Sequence, residues 1–258
     1  ISSNPYWILT NPKNSLIYIY QNDGSVTSYT SGLASETDVG TPTSGAGNGA
    51  AYYNNYLYFA TPTNISRYGP LSGSPTLTNT VWTDAALGSQ TALVNTTYPS
   101  IRGSGVMPNH IMHVHLDNKL YVADYDSTSS TAANRGRGLI HYVRTTFSTT
   151  EGTGNDSSTY NALDLPLGFM PTALESYGED LVIAAIQSTD TVTDQGNAAI
   201  FFWDTVSSSF YKQIYLDEPV ISALKVVNGI LYVFAGKLAA ANTAGNGYSV
   251  YQYLGGQS

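Results

Sequence analysis

The stretch Ala173-Leu174-Glu175-Ser176-Tyr177-Gly178-Glu179-Asp180-Leu181-Val182-Ile183 reads as two short strands joined by a two-residue turn. Gly178-Glu179 is the turn pair, Asp180 a spacer, and Leu181-Val182-Ile183 a run of strand formers. The same arrangement of turn pair, spacer and strand recurs at four other places. Asn14-Ser15 precedes Ile17-Tyr18-Ile19, Asn54-Asn55 precedes Leu57-Tyr58-Phe59, Asp117-Asn118 precedes Leu120-Tyr121-Val122, and Asn228-Gly229 precedes Leu231-Tyr232-Val233. Asn, Asp and Gly suit these pairs because two-residue hairpins need positive φ, which most side chains resist.

A second element follows each copy: an aliphatic residue, two variable residues and an aromatic. It runs from Val26 to Tyr29, Ile65 to Tyr68, Leu139 to Tyr142, Ile200 to Trp203 and Val250 to Tyr253. The gaps from Ile17, Leu57, Leu120, Leu181 and Leu231 to these aliphatic residues are 9, 8, 19, 19 and 19 residues. Three copies show a strand before the turn, at Ile111–His115, Ala173–Tyr177 and Ser222–Val227. Outer strands are expected at Phe210–Leu216 and around Val81-Trp82. The anchors lie 40, 63, 61 and 50 residues apart. Three or four short antiparallel strands per such interval is the arithmetic of propeller blades. The fold expected is all-β: a β-propeller of about five blades, six if Gly69–Asn109 hides another, forming a single domain over 1–258. A β-sandwich or open meander is the competing architecture.

At fold level these residues resemble the β-propellers with Leu-Tyr-Val strands that WD40 and YVTN-type repeats represent. The Trp-Asp ending of WD40 repeats occurs in a matching position only at Trp203-Asp204. The segments Asn109 to Asp124 and Tyr160 to Asp204 are similar in style to uncharacterised virion-associated proteins of tailed bacteriophages. That resemblance implies a virion-surface or attachment role.

Charged residues make up 11% of the chain, with Ser, Thr, Asn and Gly filling the polar role. An average globular chain carries about 25%. Such a surface suits virions or the outside of cells. With 10 basic and 18 acidic residues the net charge is −8, which does not fit a phosphate-neutralising surface, so nucleic acid is not the expected partner. No apolar run is long enough to span a bilayer as a helix. There is no cysteine, which removes disulfides and thiolate metal sites. The start, Ile1-Ser2-Ser3-Asn4, fits a processed chain or part of a longer one.

Of the residues able to carry chemistry, all four histidines fall between His110 and His141. His113 and His115, two apart on a strand, share a face, and His141, in the next repeat element, is expected across the hairpin as a third imidazole. Zinc needs a further ligand or water position that the sequence does not supply, so no metal and no cofactor is expected. Asp124 and Asp126 are too sparse for a calcium loop. Nucleophile elbow, His-Glu-x-x-His, Walker and sialidase Asp-box motifs are absent, and a non-enzymatic role is expected. The acidic pairs Glu179-Asp180 and Asp217-Glu218 read as turn residues.

The three 19-residue gaps enclose long segments at Asp124–Gly138, Ala185–Ala199 and Ala235–Ser249. Each joins the same two strands of its repeat, so all three are expected on one face of the ring, with Tyr125, Arg135, Arg137 and Tyr248 among their large side chains. The functional expectation is a binding or structural module at the virion surface or outside cells, contacting a protein partner or a surface glycan through that rim. The alternatives are an architectural subunit of a particle or filament, and a carbohydrate-active enzyme on a propeller scaffold.

Overall fold

The computed structural model describes residues 5–11, 15–21, 23–33, 35–42, 49–60, 64–83, 111–126, 137–143, 163–166, 169–187, 197–236 and 248–255. Among these residues the regular structure is all β, in five antiparallel sheets. The first sheet holds β1 (Pro5–Thr10), β2 (Ile17–Gln21), β3 (Val26–Tyr29) and β4 (Glu36–Gly40). The second holds β5 (Ala50–Tyr53), β6 (Tyr56–Ala60), β7 (Asn64–Gly69) and β8 (Thr76–Thr83). The third holds β9 (Ile111–Val114), β10 (Leu120–Asp126), β11 (Arg137–Val143) and β12 (Leu163–Asp164). The fourth holds β13 (Phe169–Tyr177), β14 (Asp180–Gln187), β15 (Ala199–Asp204) and β16 (Ser209–Tyr215). The fifth holds β17 (Val220–Val227), β18 (Ile230–Gly236) and β19 (Tyr248–Tyr253). Spatial order follows chain order in each sheet, so every sheet is a meander.

The turn pairs behave as their composition demands. Both central residues take positive φ at Asn54 (47°) and Asn55 (70°), and again at Asn228 (51°) and Gly229 (76°). Ser15, Asn118 and Gly178 also have positive φ. Each of the five Leu-Tyr-Val-like runs is the second strand of its sheet, and each aliphatic-to-aromatic element is the third.

Strand β14 shows why the sheets stack. Its side chains alternate between two apolar environments: Leu181, Ile183 and Ala185 pack with the third sheet, Val182 and Ala184 with the fifth. A strand covered on both faces reads as a continuous apolar run. Burying each such Leu, Ile or Val contributes about 1.5–3 kcal/mol. Further apolar layers join the first sheet to the second and the second to the third. The inner strands β1, β5, β9, β13 and β17 pack side by side in that order. Tyr18, Tyr58 and Tyr121 fill these layers, whereas Tyr232 is half-buried on the face of the fifth sheet turned away from the fourth. The expected sixth blade is not needed to place 69–83, because β8 completes the second sheet. Residues 84–110 lie outside the described residues.

Candidate binding surface

Contacts between sheets fix which ends of the strands share a face. Tyr53, ending β5, bonds the Asn118 carbonyl in the β9–β10 turn at 2.8 Å. His113 and His115, at the end of β9, meet Ser176 and Glu179 around the end of β13. Glu175 of β13 pairs with Lys225 of β17 at 3.2 Å. The turns between first and second strands therefore gather on one face, here the turn face. At the opposite ends Tyr20 of β2 reaches Ala60 of β6, and Thr172 of β13 reaches Ile221 of β17. This is the loop face, from which the second-to-third-strand segments leave.

The sequence-derived rim residues fall on the loop face where they are described. Tyr125 and Arg137 sit at the β10–β11 end, where Tyr125 is opposite Gly138 and Asp126 opposite Arg137. Tyr248 opens β19 opposite Gly236. Its side chain is 87% exposed, and Val250 on the same face of the strand is 56% exposed. Tyr125 and Arg137 belong to the third sheet and Tyr248 to the fifth, so the fourth sheet stands between them. Arg135 and the segments 127–136, 188–196 and 237–247 lie outside the described residues.

Glu218, which reads as a turn residue in sequence, is part of this face. It precedes β17, is 8% exposed, and its two carboxylate oxygens accept the Tyr251 hydroxyl at 2.8 and 2.9 Å. That hydrogen bond, followed by burial, pushes the Tyr251 hydroxyl above its usual value. Tyr251 and Glu218 are 33 residues apart, so local patterning carries no signal for the pair.

The turn face holds a polar group that joins the third sheet to the fourth. His113 Nε2 and His115 Nδ1 each stand 2.7 Å from the Ser176 hydroxyl, and His115 Nε2 is 3.1 Å from the Glu179 carbonyl. Burial holds the His113 imidazole down at about 4; His115 and Lys225 push the same way and Glu175 opposes them. Beside this group, Lys119 pairs with Asp117 at 2.7 Å and lies over the Tyr142 ring. Burial raises the Asp117 carboxyl, but hydrogen bonds from Lys119 and Tyr121 outweigh it and leave the group below its ordinary value.

Chemically the histidine group is a clamp between sheets. His113 and His115 share a face, as their spacing implies. His141 does not join them: it pairs with Val122, whereas His113 pairs with Tyr121, so the pleat turns His141 to the other side of the sheet. Among the described residues no three His, Cys, Asp or Glu side chains converge as a metal set. His110 lies outside the described residues.

No family model and no curated protein matches the chain. Solved structures do. The β-propeller domain of Myceliophteria thermophila Cps50 (Swd1) matches with a TM-score of 0.53 at 10% identity, over 98% of this chain and 73% of that one. The WD40 domain of Neurospora crassa Pan2 matches with a TM-score of 0.53 at 11% identity, over 97% of this chain and 63% of that one. The computationally designed Ika8 protein matches with a TM-score of 0.48 at 14% identity, and this chain spans 54% of its length. At such identities the likeness carries the fold alone, and with the five stacked meanders it makes this chain a β-propeller.

Proposed function

We propose that the chain is a non-enzymatic binding module of a virion surface or the extracellular space, contacting a protein partner or a surface glycan through its loop face. The observation that carries this is Tyr248, 87% exposed at the β18–β19 end of that face. A tyrosine held at a strand start offers a large, rigid, amphipathic contact at little entropic cost, which is how aromatic residues serve at interfaces. Tyr125 and Arg137, at the same ends of the third sheet, supply the remaining sequence-derived contacts, with Arg135 beside them in sequence. The low charge of the chain supports the setting.

The test is a glycan array together with binding to intact bacterial surfaces, comparing wild type with a Tyr248→Ala, Arg135→Ala, Arg137→Ala variant of unchanged melting temperature. Wild-type binding that falls at least about tenfold in the variant supports the reading, a loss typical of removing interface anchors. Equal binding by the two proteins removes the loop face from the account.

A further inference from the structure

The hydrogens of the His113–Ser176–His115 group can be assigned by elimination. The Glu179 carbonyl only accepts, so His115 Nε2, 3.1 Å away, carries a hydrogen. In the neutral ring Nδ1 is then bare and accepts the Ser176 hydroxyl hydrogen at 2.7 Å. That hydroxyl has one hydrogen, so His113 Nε2, also at 2.7 Å, must donate to the oxygen. The bridge therefore runs His113 to Ser176 to His115 to the Glu179 carbonyl, crossing three times between the third and fourth sheets.

This arrangement can absorb one extra proton and not two. If His115 is charged, its Nδ1 donates to Ser176, and the hydroxyl turns to His113, whose remaining hydrogen shifts to Nδ1. If both rings are charged, both facing nitrogens donate and the hydroxyl hydrogen has no nitrogen left to accept it. Two cations then stand with ring centroids 6.4 Å apart in a largely buried site. We propose that the bridge is an acid-operated latch between the third and fourth sheets, closed while at most one ring is charged and opened when both are.

The surrounding groups are consistent with this. On the β9 side, Asp117 is engaged by Lys119 and Tyr121. From the fourth sheet Glu175 faces His113, but Lys225 of the fifth sheet occupies that carboxylate. Glu175 is the strongest charge acting on His113 and favours its charged form, but burial outweighs it, with His115 and Lys225 acting on the same side as burial. Burial, with His115 and Lys225, holds this ring at about 4 against an ordinary 6.5. The unfolded chain therefore binds the proton more readily, so the contribution is complete above about pH 6.5 and is lost as the pH falls toward 4. The opening constant therefore rises as the pH is lowered from about 6.5 toward 4.

Hydrogen exchange at pH 7.5 and pH 5, corrected for intrinsic rates, tests the latch in wild type, His113→Gln and Ser176→Ala. Gln keeps an N–H donor and does not titrate. The expected result is that wild type opens at β9 and at the Gly178-Glu179 turn at least about fivefold more at pH 5 than at pH 7.5, with little change at the Asn54-Asn55 turn. His113→Gln should lose that pH response, and Ser176→Ala should open the same segments at both pH values. The proposal is overturned if His113→Gln responds to acid as wild type does, or if the wild-type response is equal at the Asn54-Asn55 turn.

Discussion

Thr172 Oγ1 donates a 2.6 Å hydrogen bond to the main-chain carbonyl of Ile221, joining the fourth sheet to the fifth. Thr172 is the extra residue of a bulge between Pro171 and Ala173, and Ile221 borders the matching bulge before Ala223. A bulge takes one residue out of the ladder and re-aims its side chain. The other interfaces between consecutive sheets also carry a side-chain-to-carbonyl hydrogen bond, from donors that are not the extra residue of a bulge. Tyr20 reaches the Ala60 carbonyl, Tyr53 the Asn118 carbonyl, and His115 the Glu179 carbonyl. In every case a side chain of one sheet caps a carbonyl of the next sheet in chain order.

Thr172→Val keeps the shape and removes the donor, leaving the Ile221 carbonyl to face an apolar methyl in a buried interface. Such a loss costs about 1–3 kcal/mol. In a chain of this size each kcal/mol lowers the melting temperature by about 2–4 °C. Thr172→Ser should retain most of the stability. A valine variant melting with wild type would mean that water replaces the bond.

Gly138→Ala should be far more damaging than Gly178→Ala. A Cβ at Gly138 would stand 2.7 Å from the Phe169 carbonyl oxygen and 2.8 Å from Leu165 Cδ1, because β11 passes tightly against the entry to the fourth sheet. Nothing lies within 4 Å of a Cβ at Gly178, where the only cost is the positive φ of 60°. That cost is about 1 kcal/mol. Urea unfolding should place the two variants at least about 2 kcal/mol apart, since backbone must move to relieve the first. Midpoints within error of one another would show that the third and fourth sheets are less closely apposed than this.

The second and third strands of every sheet were legible because they carry the strongest signals: the turn pair that precedes each second strand and the aliphatic-to-aromatic spacing that marks each third, even in β19, which is largely exposed. The weak strands were not. β1 begins at Pro5, β5 is Ala50-Ala51-Tyr52-Tyr53, and β4 carries Glu36 and Asp38, which read as loop. Among the innermost and outermost strands β9, β13, β17, β8 and β16 were legible, whereas β1, β4 and β5 gain their pairing from the sheet they join and their own composition does not announce them. The common face expected of the long segments follows from connectivity, since each joins the second and third strands of its sheet, and the segments themselves lie outside the described residues. The Ser176 clamp and the Glu218–Tyr251 pair were invisible, since each depends on how neighbouring elements pack. His141 was misplaced by one step of the pleat, which reverses the face of a side chain.

Asp117 gives a pH-dependent expectation of known sign. Its carboxyl sits below its ordinary value in the folded protein, so the unfolded chain binds the proton more readily. Its contribution is present above the ordinary carboxylate range and is lost as the pH falls through the folded value. Asp117→Asn should therefore be less stable than wild type at pH 7, by on the order of 1 kcal/mol for a partly exposed ion pair. The gap should close as the pH is lowered below about 4. A gap that persists at low pH would assign the effect to lost hydrogen-bond geometry.

Phe202 is the side chain on which docking of the fifth sheet should depend most. It is fully buried on β15 and aims at the fifth sheet. Its ring centroid lies 4.9 Å from that of Tyr253, with Tyr177 edge-on to it. Lys212 Nζ stands 2.6 Å from the Tyr253 hydroxyl and 5.9 Å from the Phe202 ring centroid, closing the group at its outer edge. Phe202→Ala removes the ring both sheets pack against and leaves a cavity bordered by rigid aromatics, which cannot collapse to fill it. Substitutions of that kind cost about 3–5 kcal/mol. Phe202→Leu keeps most of the volume and should cost less than half as much. Tyr211→Phe removes an exposed 2.6 Å hydrogen bond to Asp180 and serves as the control. An exposed bond of that sort is worth under about 1 kcal/mol. The ordering in urea midpoint should be Tyr211→Phe, Phe202→Leu, Phe202→Ala. Hydrogen exchange on Phe202→Ala should show β17 to β19 opening ahead of β9 to β12. If all sheets open together, the fifth sheet is held by something other than this aromatic group.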